Sequence, residues 1–122
     1  MKTTYQTGIF GEQKAADWLI RHIGMRLLVS RYRNRAGEID LIMLDGETIV
    51  FVEVKTRLHA PAGTGRLAVD RIKQQRIARS AVLFLKEKGW LKRSVRFDVA
   101  EVTESEVIHV RNAFQPGSMF YR

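Results

Sequence analysis

Gly37-Glu38-Ile39-Asp40-Leu41-Ile42 and, shortly after, Phe51-Val52-Glu53-Val54-Lys55 decide how this chain folds. Both stretches read as buried strands, yet each sets charged residues at alternate positions. Between them lies Asp45-Gly46, a strong hairpin signal. With Asp45 and Gly46 as the two loop residues, Leu44 faces Glu47, Asp40 faces Phe51 and Glu38 faces Glu53. Side chains alternate with a period of two, and opposed residues share a face. Glu38, Asp40, Glu53 and Lys55 therefore project from one face. The other face, Ile39, Leu41, Met43, Val50, Val52 and Val54, is wholly apolar.

Packing alone does not explain the charged face. Opposed carboxylates on a hairpin stand roughly 5 Å apart at Cβ. At an effective dielectric of about 20 they repel by roughly 3 kcal/mol. A divalent cation between them removes that penalty, and Mg²⁺ or Mn²⁺ prefers a few carboxylate oxygens plus water. Lys55, two positions past Glu53, would then lie beside the metal. There it could orient or help deprotonate a water, or stabilise charge on a phosphate.

The pattern of Asp40 followed by Glu53-x-Lys55 on the next strand resembles the catalytic signature of the restriction-endonuclease-like PD-(D/E)XK nuclease superfamily. More closely, the chain resembles the YraN-like family of small bacterial proteins. The matching segments are Gly8-x-x-Gly-Glu12, Gly37 to Ile42, Phe51-Val-Glu-Val-Lys-Thr-Arg57, Val69-Asp-x-x-Lys73 and Arg96-Phe-Asp-Val99, spread over nearly the whole chain. The superfamily's first aspartate often follows proline; here Ile39 precedes Asp40, and proline is no metal ligand. The resemblance implies metal ligation by Asp40 and Glu53 and a catalytic role for Lys55. It also brings in Glu12, since a glutamate of the N-terminal helix joins the metal site in several relatives. Glu38 is a further candidate beside them.

The 122 residues suit one domain with a real core. The absence of cysteine excludes thiolate metal sites and disulfides and suits a reducing cytosol. The first residues, Met1-Lys2-Thr3-Thr4-Tyr5, lack the apolar run of a signal peptide, and no window reaches transmembrane length. A cytoplasmic protein without a membrane partner is expected. The net charge of +8 favours a polyanion, most often nucleic acid, although a merely soluble basic protein would show it too. An acidic cluster on a basic background is more telling: it describes a surface that attracts phosphates around a site that holds a cation.

Gln6 to Ile23 reads as a helix with the apolar stripe Ala15, Ala16, Leu19, Ile20 and Ile23, ended by Gly24 as an αL cap. Glu12 lies on that stripe, where a carboxylate is costly unless paired or metal-bound; alternatively it is an early-helix acid favoured by the dipole. Arg26 to Arg33 reads as a strand, with Leu27, Val29 and Arg31 alternating against Leu28, Ser30 and Tyr32, and Asn34-Arg35-Ala36-Gly37 reads as a turn. Leu58 to Ala68 is a glycine-containing loop that leaves the site and could fold over a substrate. Val69 to Lys88 reads as a second helix, ended by Gly89, with Val69, Ile77, Ala81, Phe84 and Leu85 as its core side. Lys73 falls on that stripe. Lys73 and Arg76, close to the loop, are candidate phosphate contacts together with Arg35 and Arg57. Lys86 and Lys88 read as solvated surface. Ser94 to Val102 and Val107 to Arg111 are the last strands, and Asp98 reads as a buried acceptor paired with a nearby arginine. Trp18 and Trp90 read as core or helix-end packing. His22, His59 and His109 show no metal-ligand spacing.

The order helix, three strands, helix, two strands fits an α/β sandwich with a mixed central sheet, as in the restriction-endonuclease-like core. Three functions compete. The first is a Mg²⁺- or Mn²⁺-dependent nuclease acting on DNA, with branched DNA suggested by similar folds in junction resolvases. The second is a nucleic-acid-binding module or a subunit of a repair or uptake complex, without turnover. The third is a structural protein whose acids pair internally. Cutting both strands of a duplex with so small a chain would call for a homodimer.

Overall fold

The computed structural model describes residues 4–58 and 69–115. Helix α1, Thr4–Trp18, runs into a π-helical turn, Leu19–Ile23. Strands β1, Arg26–Asn34, β2, Gly37–Asp45, and β3, Thr48–Thr56, follow. Helix α2, Arg71–Lys88, leads to β4, Val95–Val102, and β5, Val107–Phe114. The sheet order is β1-β2-β3-β4-β5. All neighbours are antiparallel except β3 and β4, which α2 joins as a parallel pair. The expected mixed α/β layout is therefore present. Among the described residues no helix is long and apolar enough to cross a membrane.

Both faces of the sheet are buried. On one face Ile42, Ile49, Phe51, Phe97 and Val99 pack against Val69, Ile77, Ala81, Phe84 and Leu85, the expected core side of α2. On the other, Leu41, Met43, Val50, Val52, Ala100 and Val102 pack against Ala15, Ala16 and Leu19 of the first helical segment. Ile39 breaks the strand alternation and joins the α2 side. One position along, opposite Asp40 and between Ser30 and Tyr32, Arg31 has φ 52, so β1 is locally distorted at this point. Trp18 and Trp90 border the two cores, as their positions suggested.

Three expectations need correction. The hairpin loop is Gly46-Glu47, not Asp45-Gly46: Asp45 pairs with Thr48 and Leu41 with Val52. With φ positive at Gly46 and not at Glu47, the turn needs glycine only at its first loop position. Asp45 meanwhile remains in the strand and accepts from Arg96 Nη2 at 2.8 Å. The register moves by two, so the faces are preserved, but the direct opposition of Glu38 and Glu53 is lost and Asp40 is brought towards Glu53. The second correction is on the first helix. Ile20 and Ile23 are 43% and 41% exposed, because the wider π-helical turn rotates them off the stripe that keeps Ala15, Ala16 and Leu19 buried. The third is that β1 does not alternate as read. A register shift between Leu27 and Val29 leaves Leu28 and Val29 both against the α2-side core. Gly24 and Gly89 do cap their helices in the left-handed conformation, with φ 85 and 74.

Two local devices fix the geometry around the charged face. Gly11 lets α1 lie directly on β3: a Cβ there would sit 1.9 Å from Thr56 Oγ1. Ser80, fully buried on α2, donates towards Asn34 Oδ1 at 3.0 Å and the Gly37 carbonyl at 3.2 Å. Asn34 Nδ2 returns a bond to the Ser80 carbonyl at 3.0 Å. The start of β2 is thus tied to the middle of α2.

Candidate active site

The alternation of β2 and β3 sends Asp40 and Glu53 towards α2, where the apolar packing opens into a cleft of about 780 Å³. Gly37, Glu38, Asp40 and Glu53 line its sheet side, and Asp70, Arg71, Lys73 and Arg76 its helix side. Asp70 caps α2 by accepting from the Lys73 amide at 2.9 Å. The first turn of the helix therefore presents its basic residues over the two carboxylates.

Glu53 is only 5% exposed and pairs through Oε2 with the Lys73 ammonium. Asp40 Oδ2 accepts from the Val54 amide at 2.8 Å, which holds the carboxylate against β3. Burial pushes the pKa of Asp40 up, and the charge of Glu53 pushes it further, to about 7. The Val54 bond and the Lys73 charge oppose that rise without cancelling it. The Lys73 amine is held above its ordinary value: its burial opposes this, but the bond to Glu53 and the charges of Glu53 and Asp40 prevail. Buried Glu53 and half-buried Asp40 thus share one cation, and the pair is short of positive charge.

The remaining candidates are placed around this centre. Glu38 lines the cleft but is exposed and pairs with Arg33 Nη2 at 3.1 Å. Glu12 accepts from Arg31 Nη1 at 3.0 Å. Its pKa is raised by burial and then by the charge of Asp40, against the pull of Arg31, so the two acids sense each other. Lys55 lies in register with buried Glu101 of β4 and is not among the residues lining the cleft. Arg57 is half-buried and pairs through Nε with Glu101 Oε2 at 3.0 Å. Arg35 is exposed in the β1–β2 turn beside a separate hollow formed with Tyr32, Asn34, Leu83, Lys86 and Glu87. Lys73 and Arg76 are in the cleft. His59 and most of the Leu58–Ala68 loop lie outside the described residues.

Sequence reading missed Asp70, Arg71, Arg31 and Glu101. Asp70 was legible as a capping residue ahead of an apolar-periodic run. The pairings of Glu12 with Arg31 and of Glu101 with Arg57 join distant segments and left no local signal.

The donor set suits a water-rich Mg²⁺ or Mn²⁺ site. Asp40, held by the Val54 amide, and Glu53, held by Lys73, lie within hydrogen-bonding reach of each other and bring hard carboxylate oxygens to one place. Mg²⁺ is commonly held by one or two carboxylates with waters completing the shell. Among the described residues no three His, Asp or Glu side chains converge as a complete protein cage.

The model of the family described as "Uncharacterised protein family UPF0102" matches residues 11–102. A UPF0102 protein of Geobacter sulfurreducens is 41% identical over 113 residues, covering 88% of each chain. Another, from Syntrophus aciditrophicus, is 45% identical over 103 residues, 84% of this chain and 80% of its own. The solved structure of SSO0001 is similar with a TM-score of 0.43 at 10% identity. That likeness covers 94% of this chain, which spans about half, 54%, of the other. The cleft residues Gly37, Glu38, Asp40, Glu53, Asp70, Lys73 and Arg76 all fall inside the matched segment, and the chain belongs to the UPF0102 family, the family of the YraN-like proteins it resembles.

Proposed function

We propose that this protein is a divalent-metal-dependent nuclease that hydrolyses phosphodiester bonds of DNA. The observation that carries the reading is the charge deficit of the Asp40–Glu53 pair at the foot of a cleft whose helix side carries Arg71, Lys73 and Arg76. A buried pair of acids with one ammonium is poorly stabilised as a structural element. It is well suited to a site that gains a cation. The net charge of +8 adds a field that attracts polyanions to the same molecule.

Asp40 and Glu53 would hold the ion. Bound there, a divalent cation supplies an activated water and neutralises charge on the scissile phosphate. The Val54 amide keeps Asp40 in one orientation, so that its carboxylate is presented without a rotamer search. Lys73, Arg71 and Arg76 would position the backbone phosphates, and Lys55, on the same face, would stabilise developing charge. Glu38, and Glu12 through a water, would complete the outer shell. Branched or repair-intermediate DNA as substrate follows from the resemblance to junction-resolving folds.

One observation favours a second reading, a nucleic-acid-binding module without turnover: Lys73 already supplies a cation to Glu53. The two are separated by cleavage of a labelled panel (single strand, duplex, flap, four-way junction) with Mg²⁺ or Mn²⁺, beside Asp40→Asn. The expected result is metal-dependent cutting that Asp40→Asn lowers by at least about a hundredfold while DNA affinity is held. Cutting by Asp40→Asn at the unmutated rate overturns the nuclease. No cutting, with both proteins binding the panel equally, selects the binding module.

A further inference from the structure

The cation that faces Asp40 and Glu53 belongs to the chain itself, and it is not built in as a permanent partner. Lys73 rises from the exposed first turn of α2 and its side chain is 52% exposed, whereas Glu53 is 5% exposed. The ammonium can therefore leave for solvent or for a phosphate while the carboxylate stays in place. Arg71 and Arg76 line the same cleft, but among the described residues neither forms an ion pair with Asp40 or Glu53. Among the described residues Lys73 alone combines contact with Glu53 and access to a ligand.

The geometry points to Lys73 as a resident counter-ion that competes with the divalent metal for Asp40 and Glu53, and that a nucleic-acid phosphate draws away. This rests on the nuclease reading above and adds its regulation. An ammonium on Glu53 Oε2 and a divalent ion on the other oxygens of the same two carboxylates repel each other at short range, so each weakens the other's binding. In the free protein the ammonium holds the acids and weakens metal binding. A backbone phosphate entering the cleft offers Lys73 a second anion and vacates the carboxylates. Metal and nucleic acid then reinforce each other's binding by the same factor, as linkage requires. The protein would load its metal mainly when DNA is present.

Titration calorimetry of Mn²⁺ into the full chain tests this without any cleavage readout. Lys73→Gln is expected to bind Mn²⁺ at least about tenfold tighter than the unmutated protein, at a site that Asp40→Asn removes. Arg76→Gln removes a charge from the same helix face but no contact with the acids, and is expected to stay within about threefold. Lys73→Met, which keeps the apolar stem, replaces Lys73→Gln should that variant fail to fold. If Mn²⁺ binds the unmutated protein and Lys73→Gln gains no more than Arg76→Gln, the competition is overturned and the nuclease reading stands. If neither the unmutated protein nor Lys73→Gln binds Mn²⁺, the metal site falls, and the competition with it.

Discussion

The sheet buries an aspartate towards each of its two faces, and the two are treated in opposite ways. Asp98, fully buried on β4, accepts from Arg96 Nε at 3.0 Å and from the Asn112 amide at 2.9 Å, and pairs with His109 Nε2 at 2.7 Å. Its burial favours the neutral acid, but the bonds from His109, Arg96 and Asn112 outweigh that and hold its pKa below the ordinary value. Arg96 is in turn held by Asp45. Asp40, towards the other face, has one amide donor, a carboxylate neighbour and a share of one lysine, and is pushed up to about 7. One site is electrostatically complete and the other is left wanting a cation. A closed network specifies structure, whereas an open one is available for chemistry.

The largest effect on stability is expected where the network is closed. Asp98→Asn removes the charge that Arg96 and His109 are buried against, and should destabilise the fold by about 3–5 kcal/mol in urea denaturation. Asp40→Asn keeps an acceptor for the Val54 amide and relieves the clash with Glu53. It should stay within about 1 kcal/mol of the unmutated protein without metal. Equal losses for the two variants would erase the distinction between the faces.

Stability against pH should separate them by sign. An Asp40 that keeps its proton up to about 7 in the fold but loses it near 3.8 when unfolded makes the native state the greater binder of protons. Its contribution therefore favours folding at low pH and is lost as pH rises from about 4 to about 7. Asp98 does the reverse: its depressed pKa stabilises the fold above the unfolded value of 3.8 and that contribution is lost as pH falls below it. Melting curves across this range should show a fall between pH 4 and 7 that Asp40→Asn flattens. Mn²⁺ should flatten it as well, by replacing the proton.

How much of this the sequence carried depends on the range of the signal. The Asp98–Arg96 pairing was readable because an aspartate in an apolar strand two residues from an arginine has few other uses. The common face of Asp40 and Glu53 was readable because strand parity survives an error of two in register. What turn chemistry alone did not settle was which residue opposes which. That depended on Asp45 being held in the strand by Arg96, which lies far along the chain. The π-helical turn left no mark in the spacing of Ile20 and Ile23. Lys73 was visible as a lysine on an apolar stripe, but its partner could be identified only once α2 was laid across β2 and β3.

A smaller loss should come from the seat of α1. Gly11→Ala drives a Cβ into Thr56, and an overpacked contact of this kind costs about 1–3 kcal/mol. Adding Thr56→Ala should recover a substantial part, since the two residues are in direct contact. Because Glu12 follows Gly11 and senses the charge of Asp40, the single variant should also weaken Mn²⁺ binding if Glu12 belongs to the outer shell. Unchanged affinity with lowered stability would confine the amino end of α1 to a structural role.

The smallest effect belongs to Glu38, and it tests how far the open site extends. Glu38 lines the cleft, yet its side chain is 61% exposed and its partner Arg33 is 74% exposed. An ion pair so open to water contributes no more than about 0.5 kcal/mol, so Glu38→Gln should barely move the unfolding midpoint. With the hairpin register placing Asp40 rather than Glu38 towards Glu53, the same variant should change Mn²⁺ affinity less than threefold, or about 0.6 kcal/mol. A tenfold loss would instead move Glu38 into the ligand set, and would mean that the exposed end of β2 closes on the ion when it binds.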